Sequence, residues 1–263
     1  MAIAQQNKKQ EALPRRWIVE ELWLVFGLSL GTSGIYSALQ LVQSLQAPKP
    51  LGKQSVAINS SVAPGHPWFD LIYQLLGTGS ALIPVLVALY LLKRSAESRR
   101  VIGLDGSRPK KDLRDGTVLA AVVGGAGLAF YLITQALGLD LTVVPENLPA
   151  IWWRYPVLLL EAFHNGLLEE VLVVGFLLHR LKQLAWSDNK SLLTSSLLRG
   201  SYHLYQGVGG AAGNFVMGLI FGRLYQRYGR VTPLVVAHTL MDAVAFCGYA
   251  ALAHHVSWIP VPT

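Results

Sequence analysis

The sequence predicts an all-α, polytopic integral membrane protein of about seven transmembrane helices. Of its 263 residues, 52% are hydrophobic and only 14% are charged, whereas soluble domains carry about 25% charged residues. The charged residues are gathered in short segments, and these are separated by apolar stretches of the ~20 residues that cross a bilayer. Two of these stretches, 71–92 and 116–139, contain no charged residue.

Seven segments are predicted to span the bilayer as helices, because backbone polar groups in lipid must be satisfied within each segment. The spans lie at 17–43, 68–92, 116–138, 151–179, 191–208, 211–227 and 231–252. The predicted regions are a tail at 1–16, N-terminal spans at 17–149 with a basic linker at 93–115, a core at 150–252 and a tail at 253–263. Segment 46–67 is rich in Pro, Ser and Gly and predicts a flexible external loop.

The distribution of Lys and Arg predicts the orientation in a cell membrane. Eighteen of the 22 basic residues fall in segments that would be cytoplasmic if the N-terminus lies inside, and two fall in the opposite segments. This asymmetry predicts a cytoplasmic N-terminus and an external C-terminus. Because the basic residues lie beside the apolar spans, the net charge of +7 indicates an interaction with membrane lipids and not with nucleic acid. A single cysteine, Cys247, excludes an internal disulfide.

Ionisable residues inside the predicted spans concentrate in the last four spans. Each costs at least ~2.5–3.5 kcal/mol on insertion, and such residues usually serve a function. At ~1.5 Å per residue from the cytoplasmic ends, Glu169, His203 and His238 lie ~16, ~20 and ~12 Å deep. Asp242 follows His238 by four residues and shares its helix face, as Arg199 does with His203. We therefore expect one buried site formed by Glu169, Glu170, Arg199, His203, His238 and Asp242.

Other charged residues in spans have simpler explanations. Glu161 and His164 lie nearer the external end, where we expect a structural role. Glu20 and Glu21 lie near the inner interface beside two arginines, where ion pairing is expected.

Three motifs in the core resemble the CAAX-protease and bacteriocin-processing (CPBP) family of intramembrane peptidases. The family pattern is a double Glu followed by three residues and Arg, then Phe-x-x-x-His, then His-x-x-x-Asn or Asp. Here 169–175 matches the first motif without its Arg, 199–203 matches the second with Arg at the aromatic position, and 238–242 matches the third in full. The resemblance covers about residues 150–252.

The resemblance implies a peptidase that acts on membrane-associated or lipidated peptide substrates, of the type II CAAX prenyl endopeptidase kind. Glu169 would be the general base, and His203 would help to hold the water. His238 and Asp242 would face the oxyanion, with Asp242 orienting the imidazole. If a metal such as zinc is bound, its ligands would be Glu169, His203 and His238, because a set of one Glu and two His suits zinc. The family is also compatible with a metal-free mechanism.

The missing Arg of the first motif corresponds to Val174, four residues after Glu170, and the chain instead has Arg199. We hypothesise that the guanidinium has moved to the neighbouring helix and still neutralises Glu170.

Three alternative functions remain open from the sequence. The lost Arg favours an inactive family member that acts as a membrane scaffold or immunity protein. Intramembrane Glu and His are also compatible with a proton-linked transporter, although no internal repeat is visible. The run Gly31–Gly34 has the Gly-x-Ser-Gly form of a serine intramembrane protease, although such small residues more often serve helix packing.

Overall fold

The computed structural model describes residues 13–253 and 255–256, so most of both predicted tails lies outside the described residues. The fold is mostly helical. The helices are α1 (Arg15–Gly27), α2 (Leu30–Gln46), α3 (Pro67–Ala81), α4 (Ile83–Arg94), α5 (Pro109–Ala136), α6 (Arg154–Glu169), α7 (Leu177–Gln183), α8 (Asp188–Ser201), α9 (Val208–Tyr228) and α10 (Thr232–Leu252). A π-helical segment, Glu170–Phe176, joins α6 to α7, and 3₁₀ turns lie at Leu51–Lys53, Arg99–Ile102 and Leu204–Gln206.

Helical elements occupy all seven predicted spans, but fewer of them meet the requirements for crossing a bilayer. Among the described residues, three helices are long and apolar enough: Pro67–Arg94 (α3 with α4), Pro109–Ala136 and Thr232–Leu252. The pair α1 and α2, bent by 47°, would be a fourth. The predicted helix over 191–208 ends at Ser201, and 14 residues extend only ~21 Å, less than the ~30 Å hydrocarbon core. The predicted number of seven spans is therefore not confirmed.

A small sheet makes the all-α prediction wrong in one place. β1 (Ser55–Ser60) and β2 (Thr142–Asn147) pair in parallel, with Ser55 opposite Thr142. Segment 46–67, predicted as a flexible loop, thus contains a 3₁₀ turn and a strand. The strand residues Val56 and Ile58 alternate with small polar residues or Ala, which is the period-2 pattern of a half-buried strand.

The main hydrophobic core surrounds the π-helical segment. All seven of its residues are buried, and its apolar side chains pack with residues of α4, α9 and α10 such as Leu92, Phe221 and Leu234. α6 packs along α10, and α8 packs along α9. This packing brings the three predicted motifs onto neighbouring helices around one point of the core.

Two ion-pair clusters join the predicted cytoplasmic ends of the helices. The buried Arg180 on α7 lies 2.8 Å from both Glu21 on α1 and Glu97 after α4. Arg230, before α10, pairs with Asp105 and Asp112 at 3.0 and 2.6 Å. Both clusters fasten the core motifs to the N-terminal half of the chain.

Candidate active site

Glu169 and Glu170 lie where α6 passes into the π-helical segment. A π-helix bonds residue i to i+5, and such segments occur mostly as short insertions at functional sites. The side chain of Ser195 on α8, fully buried, donates to the Val173 carbonyl at 2.7 Å. The irregular backbone at the two glutamates is thus held by a neighbouring helix.

Glu170 is the fully buried centre of an ion-pair cluster. Its Oε1 accepts from Nη2 of Arg199 at 2.6 Å and contacts Nδ1 of His238 at 2.7 Å. Arg199 is also fully buried, and its guanidinium lies 5.6 Å from the centre of the Phe221 ring. The predicted pairing of Arg199 with Glu170 is therefore confirmed, and Val174 lies in the apolar core.

Glu169 has different partners from its neighbour and is partly accessible. Its Oε2 accepts from the Tyr202 hydroxyl at 2.8 Å, and Nη1 of Arg199 lies 3.8 Å from the same oxygen. Its Oε1 faces Nε2 of His203 at 3.9 Å. That distance is too long for a hydrogen bond, and it leaves this oxygen available for a third group between carboxylate and imidazole.

His203 does not continue α8 but lies on the turn after it. Its Nδ1 is 3.0 Å from the carbonyl oxygen of Arg199. Because a carbonyl accepts only, Nδ1 carries the proton in this contact, and Nε2 of the neutral ring is an acceptor. The predicted shared helix face of Arg199 and His203 is replaced by this backbone contact, which fixes the tautomer.

His238 is oriented by a different carboxylate from the one predicted. Asp242 Oδ2 lies 3.8 Å from Nε2 of His238, beyond hydrogen-bond distance, whereas Glu170 makes the close contact at Nδ1. Asp242 instead accepts from the Asn165 side-chain amide at 3.0 Å. The imidazole of His238 therefore lies between two carboxylates, with Nε2 facing the accessible side chain of Asp242.

The other singled-out charges lie in separate contacts. Glu161 accepts from Thr78 on α3 and lies 3.2 Å from Nδ1 of His164, as the expected structural role requires. Glu20 pairs with Arg16 as expected. Glu21 is also in an ion pair as expected, but its partner is Arg180 of α7 and not one of the two N-terminal arginines.

The Gly-x-Ser-Gly run of the first span is explained by packing. An added Cβ at Gly31 would lie 2.6 Å from the Phe26 carbonyl oxygen at the bend, and one at Gly34 would lie 2.5 Å from Ser201 Oγ. Ser33 is exposed, and its hydroxyl lies 3.4 Å from the carbonyl oxygen of Ser29, the residue before α2. The glycines allow the bend and the close approach of α2 to α8.

A metal ion would have to compete with contacts already present. Among the described residues, Glu169, Glu170 and His238 offer ligand atoms within 4.8 Å of one another, so Glu170 replaces the predicted His203 in that group. Glu170 and His238 are bonded to each other, however, and a guanidinium contacts the same carboxylate oxygen. A divalent cation there would break that bond and repel Arg199, so these residues do not fit a metal as they stand.

Two site residues were missed from the sequence. Tyr202 precedes His203 and binds Glu169, and Asn165 lies four residues before Glu169 and binds Asp242. Asn165 could have been found, because it lies one helical turn from Glu169 and is polar inside a span. Tyr202 gave no such indication, because its direction depends on the end of α8 at Ser201.

The fold and the site define a helical membrane protein with a buried Glu, Arg and His cluster formed by three chain segments. Residues 151–244 match the family model described as type II CAAX prenyl endopeptidase Rce1-like. This match supports the resemblance of the three motifs to the CAAX-protease and bacteriocin-processing family. No curated protein and no solved structure matches the chain.

Proposed function

We propose that this protein is an intramembrane endopeptidase in which Glu169 activates a water molecule without a metal ion. The observation that carries the proposal is the 3.9 Å gap between Oε1 of Glu169 and Nε2 of His203. A water in hydrogen-bond contact with both would donate one proton to each acceptor. Its oxygen lone pair would then be free for attack on a carbonyl carbon.

The remaining side chains suit the later steps of amide hydrolysis. As the water oxygen bonds to the carbonyl carbon, its proton passes to the Glu169 carboxylate, and the carbonyl oxygen becomes an oxyanion. We assign oxyanion stabilisation to the Nε2–H of a doubly protonated His238, because Nδ1 of this ring donates to Glu170. Asp242, near Nε2, supports the charged ring. When the C–N bond breaks, the same proton passes from Glu169 to the leaving nitrogen.

The positive charge of Arg199 lies beside Glu170, where a metal ion would otherwise supply the positive charge. We expect peptidase activity to survive prolonged dialysis of the purified protein against EDTA followed by 1,10-phenanthroline, with metal content measured by mass spectrometry. Loss of activity that zinc restores would contradict the metal-free mechanism.

The substrate class follows from family and location. The match to the family model supports a membrane-associated or lipidated peptide substrate. The Lys and Arg asymmetry supports a cytoplasmic N-terminus and an external C-terminus in the cell membrane.

Membrane proteomics on cells with wild-type protein and with Glu169→Gln tests the proposal. An uncut substrate should accumulate in the Glu169→Gln cells. Glu161→Gln is the matched control, because it neutralises another glutamate of α6 whose contacts are with Thr78 and His164. An identical proteome in wild-type and Glu169→Gln cells would contradict a peptidase.

The same variant separates the alternatives. A scaffold or immunity protein should tolerate Glu169→Gln. The missing Arg of the first motif was the main reason to consider such an inactive protein, and the Arg199–Glu170 pair weakens that reason. A proton-linked transporter should show uptake into proteoliposomes driven by a pH gradient.

A further inference from the structure

One edge of the small sheet borders a cavity of about 430 Å³ between α2 and β1. Four consecutive residues of β1, Ser55 to Ile58, line this cavity. Successive side chains of a strand point to opposite faces of the sheet. A cavity lined by four in a row therefore runs along the edge of the strand, where its backbone groups are.

The pairing with β2 determines which peptide groups of β1 face the cavity. The Gln54 carbonyl accepts from Thr142 N at 2.9 Å. Because the direction of backbone groups alternates along a strand, residues 54, 56 and 58 direct theirs toward β2. Ser55 and Ala57 then direct their N–H and C=O groups away from β2, along the edge that borders the cavity.

The opposite edge of the sheet is closed. The amide of Val143 in β2 donates to the Tyr131 hydroxyl of α5 at 2.9 Å. Pro145, the next residue of β2 that faces this side, has no N–H to offer. Of the two edges of this sheet, only the β1 edge can therefore accept an additional strand.

The cavity lies beside the proposed peptidase site. Tyr205 lines it, and its ring is nearly parallel to the ring of His203, with centroids 6.4 Å apart. The chain before β2 is tied to the same turn, since Leu141 N donates to the Gln206 carbonyl at 2.9 Å. A chain bound along β1 would thus end close to the water-binding gap of Glu169.

The chemistry of the lining favours a neutral peptide backbone. None of the lining residues is charged, and three glutamines, Gln40, Gln43 and Gln54, supply side-chain amides. We propose that the free edge of β1 binds the substrate by strand addition, with an extended, uncharged segment of the peptide lying in this cavity. The inference rests on the proposed peptidase function, and main-chain hydrogen bonds would supply the affinity.

Photolabelling of the full-length protein in detergent micelles tests the proposal. The probe is a mixture of hexapeptides randomised over uncharged residues, each with a central diazirine, and labelled positions are mapped by mass spectrometry. A second mixture is N-methylated at every backbone amide, which removes the donors of both peptide edges without touching the protein. We expect labelling of β1 by the first mixture. Labelling by the second should be weaker by at least about fivefold, which corresponds to the loss of one peptide hydrogen bond.

Two substitutions at Ala57, an exposed strand residue, provide the matched pair. Ala57→Pro removes one N–H from the free edge and should reduce labelling by about fivefold, whereas Ala57→Val keeps the N–H and should label like wild type. Equal labelling by the two peptide mixtures would overturn the proposal, and so would an absence of labelling at β1. The N-methylated probe keeps the test valid if Ala57→Pro does not fold.

The outcome is distinguishable from failure of the peptidase function. Glu169→Gln should label like wild type, because it leaves β1 intact. Labelling of β1 with no substrate found by proteomics would contradict the peptidase function and support peptide binding at β1. Cleavage of a substrate without labelling of β1 would support the peptidase function and contradict peptide binding at β1.

Discussion

Removing either member of the Arg199–Glu170 pair should strongly destabilise the protein. Both side chains are fully buried and their charged atoms lie 2.6 Å apart. Breaking such a pair leaves an uncompensated buried charge and costs about 3–5 kcal/mol. We expect a loss in this range for Arg199→Leu and for Glu170→Gln. The double variant should lose less than the sum of the two, by about 2–3 kcal/mol, because neither charge is then left alone.

The free energy of unfolding can be measured by titrating SDS into dodecylmaltoside micelles for the four proteins of the cycle. The control cycle uses Arg16 and Glu20, which lie 2.7 Å apart but are 87% and 56% exposed. Exposed pairs contribute about 0–1 kcal/mol, so this cycle should show almost no coupling. Additive losses for Arg199 and Glu170 would refute the conclusion that this guanidinium replaces the Arg of the family motif.

Two further predictions concern the support of the site and the cytoplasmic loops. Ser195→Ala should cost about 1–3 kcal/mol and lower the turnover rate, because it leaves a buried carbonyl of the π-helical segment without its partner. Ser196→Ala is the control, since Ser196 is equally buried but bonds within its own helix; equal losses would contradict the prediction. Hydrogen bonds from Ser107, and then Arg230, lower the pKa of Asp105. Because the folded pKa lies below the unfolded one, this carboxylate stabilises the fold above about pH 4, and the contribution declines as pH falls further. Asp105→Asn should therefore flatten the stability curve of the purified protein between about pH 5 and pH 3, and an unchanged curve would contradict this.

The helical segments could be predicted because spans depend on composition alone. Their internal breaks could not, because they depend on tertiary packing. The bend between α1 and α2 depends on the close approach of Gly31 to the Phe26 carbonyl. The end of α8 lies against α2, where the Ser37 hydroxyl donates to the Tyr202 carbonyl. β1 was missed because its alternating pattern is only six residues long and lies in a segment rich in Pro, Ser and Gly. Its partner strand lies 87 residues further along the chain. Sequence periodicity carries no information on such distant pairing.

The sequence was enough to predict which residues form the site, but it was not enough to predict which of them contact one another. Depth and spacing brought Glu169, His203 and His238 together correctly. The spacing of four between His238 and Asp242 suggested that Asp242 orients the imidazole, whereas Glu170, from another helix, makes the close contact. Contacts between helices depend on rotations that the sequence of one helix does not contain.

The different partners of two adjacent glutamates give a physical reason for the double Glu in this chain. Two carboxylates side by side in a low-dielectric interior repel each other strongly unless each has its own compensation. Arg199 and His238 both contact Glu170, so that carboxylate has its own compensation and orients the imidazole at the same time. Glu169 is compensated more loosely, by a hydroxyl and a distant guanidinium, and one of its oxygens remains free to face His203. If the tight partners were exchanged, the accessible carboxylate would be held by a salt bridge and would be a poor acceptor for a proton from water. The division between a fully paired and a half-paired carboxylate is therefore the feature on which the proposed Glu-activated hydrolysis would depend.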